Sequence, residues 1–326
     1  MSKARELAEL GAVYDSGALS NRNLVINGAM QVFQRGTSFT NSSTAYNADR
    51  WSVDNNADGG GRSTDAPDGF TYSLTVDPGS GSNAALRHAI ELPAAGEGGV
   101  FRSGQKFTLS FYVKSENAGE DLKIFAASGT NVNATTTSQV SAQTIGTTTT
   151  SWVRHIFTFT SNNVGGSDTC YNIVPFVTTP SGDVYWTGFQ LELGTEATPF
   201  EHRSFGDEFA RCQRYYSEVK FPSYSTFATG QFTYNPSTNM GTTLLGQTPG
   251  GQMRVTPTMT YSQSVGDFYA RDTSGGTKTL SGLILRSYSG GGVCQLQASS
   301  ASSFGNDDVM LSVSASGASF QFDADF

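Results

Sequence analysis

Alternation of apolar and polar residues at every second position is the feature of this sequence that most limits its fold. In the segment from Phe107 to Val113, positions 107, 109, 111 and 113 are all apolar. A period of two turns one face of a β-strand towards a core. The same period recurs at positions 153, 155, 157 and 159, and strands are also predicted over 24–36, 171–177 and 184–193. Segments rich in Gly, Asn and Thr separate these strands at 55–62, 78–83, 129–137 and 147–150, and we expect them to be loops.

Composition favours the same fold class. Only 15% of the residues are charged, while 12% are aromatic and 37 are Gly. Aromatic and β-branched residues suit the half-buried surface of a sheet, and frequent Gly, Asn and Ser supply the turns that many short strands need. The sequence therefore predicts an all-β protein of the sandwich or barrel type.

The charge balance argues against nucleic acid as a partner. The chain has 20 Lys and Arg against 28 Asp and Glu, a formal net charge of −8, and no basic stripe. No apolar run approaches the roughly 18 residues of a membrane-spanning helix, and the first six residues lack the apolar core of a secretory signal. We expect no nucleic-acid partner, no membrane insertion and synthesis in a cytosol.

The length of 326 residues predicts more than one domain. We assign residues 1–21 to a short helix and linker, 22–202 to a first β-sandwich, 203–216 to a linker helix and 217–326 to a second, smaller β-sandwich. The linker helix is expected over 208–216, because Ser204 and Asp207 have the spacing of a helix-capping pair. In the last domain, strands are predicted over 230–234, 253–255, 259–261, 283–286, 293–297, 310–313 and 319–322.

The first residues form a candidate anchor. Residues 2–10 are predicted to be helical, and Ala4, Leu7 and Ala8 fall on one face of that helix. A helix this short is not stable alone, since about 12–15 residues are marginal even in favourable sequences. It must therefore pack either on its own domain or on a larger assembly.

Residue types that commonly carry catalysis or bind metals are few and far apart. The three cysteines are predicted to be small buried hydrophobic residues and the three histidines to be structural: Cys170, Cys212, Cys294, His88, His155 and His202. There is no Gly-x-Ser-x-Gly motif, and the glycine triplets 59–61 and 290–292 are predicted to be turns and not phosphate loops. We expect a protein that is not an enzyme.

Two segments together resemble a known family. The segment 23–31 (NLVINGAMQ), followed by 49–51 (DRW), is similar to the opening of jelly rolls related to carbohydrate-binding modules. The segments 186–194 (WTGFQLELG) and 197–201 (ATPFE) are similar to the closing strand of such domains, and 151–154 (SWVR) to the middle. The resemblance implies that residues 22–202 form a jelly-roll β-sandwich.

The following segments resemble tail-fibre-like proteins of bacteriophages. These segments are 200–204 (FEHRS) leading into 211–216 (RCQRYY), then 253–258 (MRVTPT), and the ending 322–326 (FDADF). With the jelly roll, the resemblance covers about 22–262 and the extreme C-terminus, while 263–305 resemble nothing that we can name.

This second resemblance implies a structural protein of the virion, made in the host cytoplasm. The leading hypothesis is a tail fibre or receptor-binding protein that attaches to host surface polysaccharide. The alternative is a capsid decoration or head-vertex protein that uses the jelly roll as a clamp, and an enzyme acting on surface polysaccharide is a third, weaker hypothesis. Analogy with phage fibres predicts a homotrimer that contacts other virion proteins through its N-terminus.

The resemblance also implies a possible structural calcium site. Related jelly rolls often hold Ca²⁺ near their first and last strands with carboxylate and carbonyl oxygens. Asp49 and Glu192 are the candidate ligands here, but residues 29–31 (AMQ) stand where relatives often have acidic residues. We expect surface-charge roles for Asp49 and Glu192 and no other cofactor.

Sugar binding would use aromatic side chains as stacking platforms. Trp51 and Trp186 belong to the framework motifs and are predicted to lie in the core, which leaves Tyr46 and Trp152 as candidates in the first domain. The second domain has a dense aromatic run: Tyr215, Tyr216, Phe221, Tyr224, Phe227, Phe232 and Tyr234. Of these, Tyr224, Phe227 and Tyr234 are our candidates for a receptor-facing patch or a subunit interface.

Overall fold

The computed structural model describes residues 22–40, 46–53, 57–79, 82–221, 226–230, 233–235, 240–247, 253–261, 268–271, 277–288, 293–300, 309–313 and 318–325. The chain separates into two compact units, of which the first ends at Glu208 and the second runs from Phe209 to Asp325. The candidate anchor residues Ala4, Leu7 and Ala8 lie outside the described residues.

The described part of the first unit is built from short antiparallel strands. They are β1 (Ser38–Thr40), β2 (Trp51–Val53), β3 (Gly59–Ser63), β4 (Ser73–Asp77), β5 (Ala84–Glu91), β6 (Lys106–Ser115), β7 (Asp121–Gly129), β8 (Thr137–Thr147), β9 (Val153–Thr160), β10 (Cys170–Val177) and β11 (Val184–Leu193). One sheet has the order β1-β3-β4-β11-β6-β9 and the other the order β2-β5-β10-β7-β8. This is a jelly-roll β-sandwich, so the predicted fold class is confirmed.

The two sheets enclose an aromatic core. Trp51, Phe111, Trp186 and Phe189 are fully buried, and the ring of Phe189 lies 4.3 Å from that of Trp51 and 5.0 Å from that of Phe111. The predictions that Trp51 and Trp186 are core residues are therefore confirmed. The ring of His88 lies 4.6 Å from that of Trp51 at a tilt of 44°, which agrees with a structural role for this histidine.

The strand predicted over 24–36 is wrong, because this segment turns back on itself. Asn27 has a left-handed backbone, with a φ of 57°. Its side-chain oxygen accepts hydrogen bonds from the amides of Gln31 and Val32, and its side-chain nitrogen donates to the carbonyls of Val32 and Asp49. A buried Asn side chain that replaces the backbone hydrogen bonds of a β-ladder in this way favours a turn over a strand.

The turn predicted at the glycine triplet 59–61 is also wrong, since these residues begin strand β3. Gly60 has a φ of 148°, and a Cβ built on it would lie 2.1 Å from the carbonyl oxygen of Thr75. Only glycine allows β3 to pair this closely with β4. The second triplet, 290–292, lies outside the described residues.

One helix is described, α1 (Phe205–Gln213). It begins three residues before the predicted start at 208, and the hydroxyl of Ser204 accepts a hydrogen bond from the amide of Asp207 at 3.2 Å. The predicted capping pair is therefore confirmed. The helix is too short to cross a membrane, and the described residues contain no helix that is long and apolar enough to do so.

The second unit is also antiparallel β. Its described strands are β12 (Tyr216–Phe221), β13 (Thr226–Gly230), β14 (Thr233–Asn235), β15 (Met240–Gln247), β16 (Thr258–Tyr261), β17 (Phe268–Arg271), β18 (Thr277–Tyr288), β19 (Val293–Ser300), β20 (Val309–Val313) and β21 (Ala318–Asp323). They form the sheets β12-β21-β16 and β13-β20-β17-β18-β19-β15-β14.

Two sequence expectations for the second unit need correction or refinement. The strand predicted over 253–255 is wrong, because Arg254 instead donates hydrogen bonds to the carbonyls of Ala324 and Asp325 near the chain end. Tyr215 and Tyr216, from the aromatic run, are each only 4% exposed and so pack inside the unit. Their burial excludes these two aromatic residues from a receptor-facing patch.

Candidate functional site

A cluster of partly exposed polar and aromatic side chains lies on the outward face of the sheet that contains β11. Strand pairing explains its formation. Tyr185 on β11 is opposite Lys114 on β6, and Trp152 comes one residue before the pair formed by Val153 and Val113. Asp65, in the loop between β3 and β4, reaches over this row. We call Asp65, Lys114, Trp152 and Tyr185 the aromatic patch.

The four side chains of the aromatic patch hold one another in place. The Trp152 indole N–H donates to a carboxylate oxygen of Asp65 at 2.9 Å, and the Lys114 ammonium forms an ion pair with the other oxygen. The Lys114 ammonium also lies 5.2 Å from the centre of the Tyr185 ring. The Trp152 and Tyr185 rings meet edge to face at 6.5 Å. The hydrogen bonds from Lys114 and then Trp152 lower the pKa of Asp65 below its usual value.

A second aromatic group borders the patch on the same face. Tyr112 lies two residues before Lys114 on the same face of β6, and its ring lies 5.5 Å from that of Phe70. Both rings lie over Gly188, which has a φ of 67° at an irregularity in β11, and a Cβ there would be 2.8 Å from each ring. Phe70 also contacts His202, at 5.2 Å between ring centres. The absence of a side chain at Gly188 therefore makes room for this group.

A groove opens at the end of the sandwich where β11 begins, next to Tyr185. It has a volume of about 570 Å³ and is lined by Asp58, 77–79 and 179–182. We call it the loop-end groove. The strand pair Val184–Val76 brings Asp183 beside Asp77 at its rim. Burial, followed by the charges of Glu116 and Asp77, raises the pKa of Asp183.

Of the two predicted ligand-binding residues in the first unit, one is partly exposed and the other is buried. Trp152 lies in the aromatic patch, where its ring is partly exposed. Tyr46 is only 9% exposed and lies beneath the guanidinium of Arg35 at 5.4 Å, so the expectation that it offers a sugar platform is not met. The reason is that Tyr46 packs with Val132 and Cys170 on the outside of the second sheet. Tyr224 and the side chains of Phe227 and Tyr234 lie outside the described residues.

Sequence reasoning did not identify Asp65, Lys114 and Tyr185. The alternation of β11 contained a signal for Tyr185, because a residue next to the core residue Trp186 must point outward. Asp65 offered no such signal, since it reaches the patch only through the path of the loop between β3 and β4.

The expectation of surface-charge roles for Asp49 and Glu192 is wrong, since they are 1% and 3% exposed. Asp49 accepts hydrogen bonds from the backbone and side chain of Gln34. Glu192 accepts from the amide and hydroxyl of Thr198 and pairs with Arg22 at 3.4 Å. N–H and O–H donors therefore hold both carboxylates in place, and structural calcium stays a prediction. No cluster of three potential metal ligands is found within the described ranges.

Comparisons with known proteins place jelly-roll carbohydrate-binding modules and a phage tailspike domain among the structural neighbours. No model of a known protein family matches the sequence, and no curated protein matches it. The CBM22-1 xylan-binding domain of Paenibacillus barcinonensis Xyn10C is 12% identical, with 54% of this chain and 96% of that chain covered and a TM-score of 0.34.

Two other solved structures are similar at the same level. The module TmCBM61, solved in complex with β-1,4-galactotriose, is 15% identical, with 53% of this chain and 100% of that chain covered and a TM-score of 0.31. The enzymatically active domain of tailspike protein 4 from bacteriophage CBA120 is 15% identical, with 53% of this chain and 22% of that chain covered and a TM-score of 0.35.

Proposed function

We propose that this chain is a structural protein of a phage particle, a tail fibre or receptor-binding protein, and that its aromatic patch binds host surface glycan. The observation that carries the glycan part is the arrangement of Trp152 and Tyr185 beside the Asp65–Lys114 ion pair. The resemblance of the linker and C-terminal segments to tail-fibre-like proteins supports the assignment to a particle.

The chemistry of the patch suits a sugar ring. The C–H face of a pyranose packs on an aromatic face, while its hydroxyl groups exchange hydrogen bonds with nearby carboxylate and ammonium groups. Here the two rings are partly buried, and Asp65 already restrains Trp152 and Lys114. A restrained platform loses little side-chain entropy when a ligand binds, which raises the affinity.

Substitution of one platform residue tests the glycan proposal. We expect Trp152→Ala to weaken binding to a glycan-array hit about tenfold, or ~1.4 kcal/mol, because the stacked ring is lost. The matched control is Phe125→Ala, since Phe125 is a partly exposed aromatic residue on the outward face of the other sheet, 6.2 Å from Phe176. Equal losses in the two variants, or no loss in Trp152→Ala, would count against the patch.

The proposal is for binding without cleavage. Incubation of the bound polysaccharide with the protein should leave its chain length unchanged by size-exclusion chromatography. A fall in chain length that tracks the protein concentration would favour the enzyme hypothesis instead.

The place on the particle and the oligomeric state belong to the same proposal. We propose a homotrimer at the phage tail, with residues 1–21 as the contact to other virion proteins. Immunogold electron microscopy with antibodies against 217–326 should then label tails, and light scattering should give three times the chain mass. Label spread over the head would support the decoration or head-vertex alternative.

A further inference from the structure

The charge is one-sided where the aromatic patch borders the loop-end groove. Asp77, Glu116 and Asp183 lie together at the rim of the loop-end groove, where the Glu116 amide donates to the carbonyl of Asp183 at 3.0 Å. The Glu116 carboxylate accepts from the Asp183 amide at 3.3 Å, which holds the two residues side by side. Asp183 and Glu116 therefore act on Tyr185, and Asp77 adds its charge beside Asp183.

This negative field reaches the sugar platform itself. Burial, followed by the charges of Asp183, Glu116 and Asp65, raises the pKa of Tyr185. The described lining of the loop-end groove contributes Asp58 and Asp77 and neither lysine nor arginine. The ammonium that the patch does offer, on Lys114, is already paired with Asp65. On the side that borders the groove, an incoming anion would thus find carboxylates and one neutralised cation. Arg154 lies on the other side of the patch, opposite Tyr112, where its guanidinium donates to the Ser110 hydroxyl and the Thr198 carbonyl.

We propose that the aromatic patch selects glycans without negative charge. Neutral hexoses and acetamido sugars meet no electrostatic penalty there, whereas uronic acids, sialic acids and sulfated or phosphorylated sugars meet several carboxylates at close range. Selectivity then comes from repulsion of the wrong ligand, in addition to stacking of the right one. This inference rests on the proposed glycan-binding function.

The size of the effect follows from charge separation and screening. Each pair of like charges a few Å apart near a protein surface weakens binding severalfold, and salt screens the repulsion beyond a Debye length of about 8–10 Å. We therefore expect an acidic glycan to bind about tenfold more weakly than its neutral counterpart at low salt, with a smaller difference at about 0.5 M salt.

The experiment uses the full chain on an array of bacterial surface polysaccharides. Each acidic polysaccharide is paired with its carboxyl-reduced derivative, so that backbone and linkage stay constant while the charge is removed. The affinities of bound pairs are then measured by calorimetry at both salt concentrations. We expect the bound set to be neutral and each carboxyl-reduced derivative to bind at least as well as its acidic parent.

Two variants link the selectivity to the named carboxylates. The double variant Asp77→Asn with Asp183→Asn should raise the affinity for acidic members several-fold and leave Trp fluorescence unchanged. The control Glu97→Gln removes one exposed charge near the opposite end of the sandwich and should change nothing. An acidic polysaccharide that binds as tightly as its reduced derivative overturns the charge selection alone. If the protein binds no member of the array, the proposed glycan-binding function itself is overturned, and this result is distinct from the first.

Discussion

Replacement of Asn27 is the perturbation whose cost the structure defines best. Its side chain is 1% exposed and makes four hydrogen bonds, to the amides of Gln31 and Val32 at 2.8 and 3.0 Å and to the carbonyls of Val32 and Asp49 at 2.9 and 3.0 Å. Asn27→Ala removes all four bonds and leaves backbone groups unpaired, at about 1 kcal/mol for each. The left-handed backbone, with a φ of 57°, costs alanine about 1 kcal/mol more.

The expected loss is therefore about 5 kcal/mol of unfolding free energy, which is a large part of the ~5–15 kcal/mol that stabilises a typical domain. All three tryptophans of the chain, Trp51, Trp152 and Trp186, lie in the first unit. Urea unfolding followed by Trp fluorescence therefore reports that unit alone.

Two further variants separate the causes. Asn27→Gly relieves the backbone strain but not the lost hydrogen bonds, and we expect a loss of about 4 kcal/mol. Asn131→Ala is the matched control, because Asn131 is exposed and its side chain accepts one hydrogen bond, from the amide of Asn133 at 3.0 Å. It should cost less than about 1 kcal/mol. A loss in Asn27→Ala no larger than in Asn131→Ala would refute the reasoning.

Two other predictions concern Gly188, beneath the rings of Phe70 and Tyr112, and His88 in the core. Gly188→Ala should destabilise the first unit by about 1–2 kcal/mol and displace the Phe70 ring, because Gly188 has a positive φ and a Cβ there would lie 2.8 Å from that ring. Urea unfolding measures the loss of stability, and NMR shifts of the Phe70 ring protons measure the displacement. An unchanged midpoint of urea unfolding would contradict this prediction. Burial, then the charge of Arg50, lowers the pKa of His88 well below 6.5, so neutral His88 contributes stability that is present above pH 6.5 and lost as the pH falls below it. His88→Phe should flatten that loss below pH 6.5, and an unchanged slope in acid unfolding would be evidence against it.

The sequence predicted those strands in which one face is buried along its length. The alternation at 107–113 and the runs at 171–177 and 184–193 correspond to β6, β10 and β11. β9 is also a strand, but it lies at the sheet edge and Val153 is 37% exposed, so its predicted core face is only partly covered. The period of two therefore identifies strands better than it predicts how deeply an edge strand is buried.

The failures have physical causes that sequence patterns do not encode. Residues 24–36 are as apolar as a strand, yet the hydrogen bonds of Asn27 turn them back towards Asp49, which is distant in sequence. Glycines 59–61 have the composition of a turn, yet they are the residues that allow β3 to approach Thr75. In both places, a contact formed only in the folded chain decides the local structure.

The candidate site could be predicted only in part for the same reason. Trp152 stood out as a tryptophan that, unlike Trp51 and Trp186, was not predicted to lie in the core, and it does lie on the outward face. Its partners come from three other places in the chain, since Asp65 belongs to a loop, Lys114 to β6 and Tyr185 to β11. Their meeting depends on strand order, which the local pattern of residues does not encode.

The most direct test of the glycan-binding patch is the NMR signal of the tryptophan indole N–H groups during titration with a neutral glycan selected on the array. The chain has three such signals, of which Trp51 and Trp186 are fully buried and serve as internal controls. The Trp152 signal, assigned through Trp152→Phe, should shift alone and saturate with the binding curve, because its indole N–H lies against Asp65 in the patch. Saturable binding that leaves the Trp152 signal unmoved would contradict the account and place the sugar elsewhere.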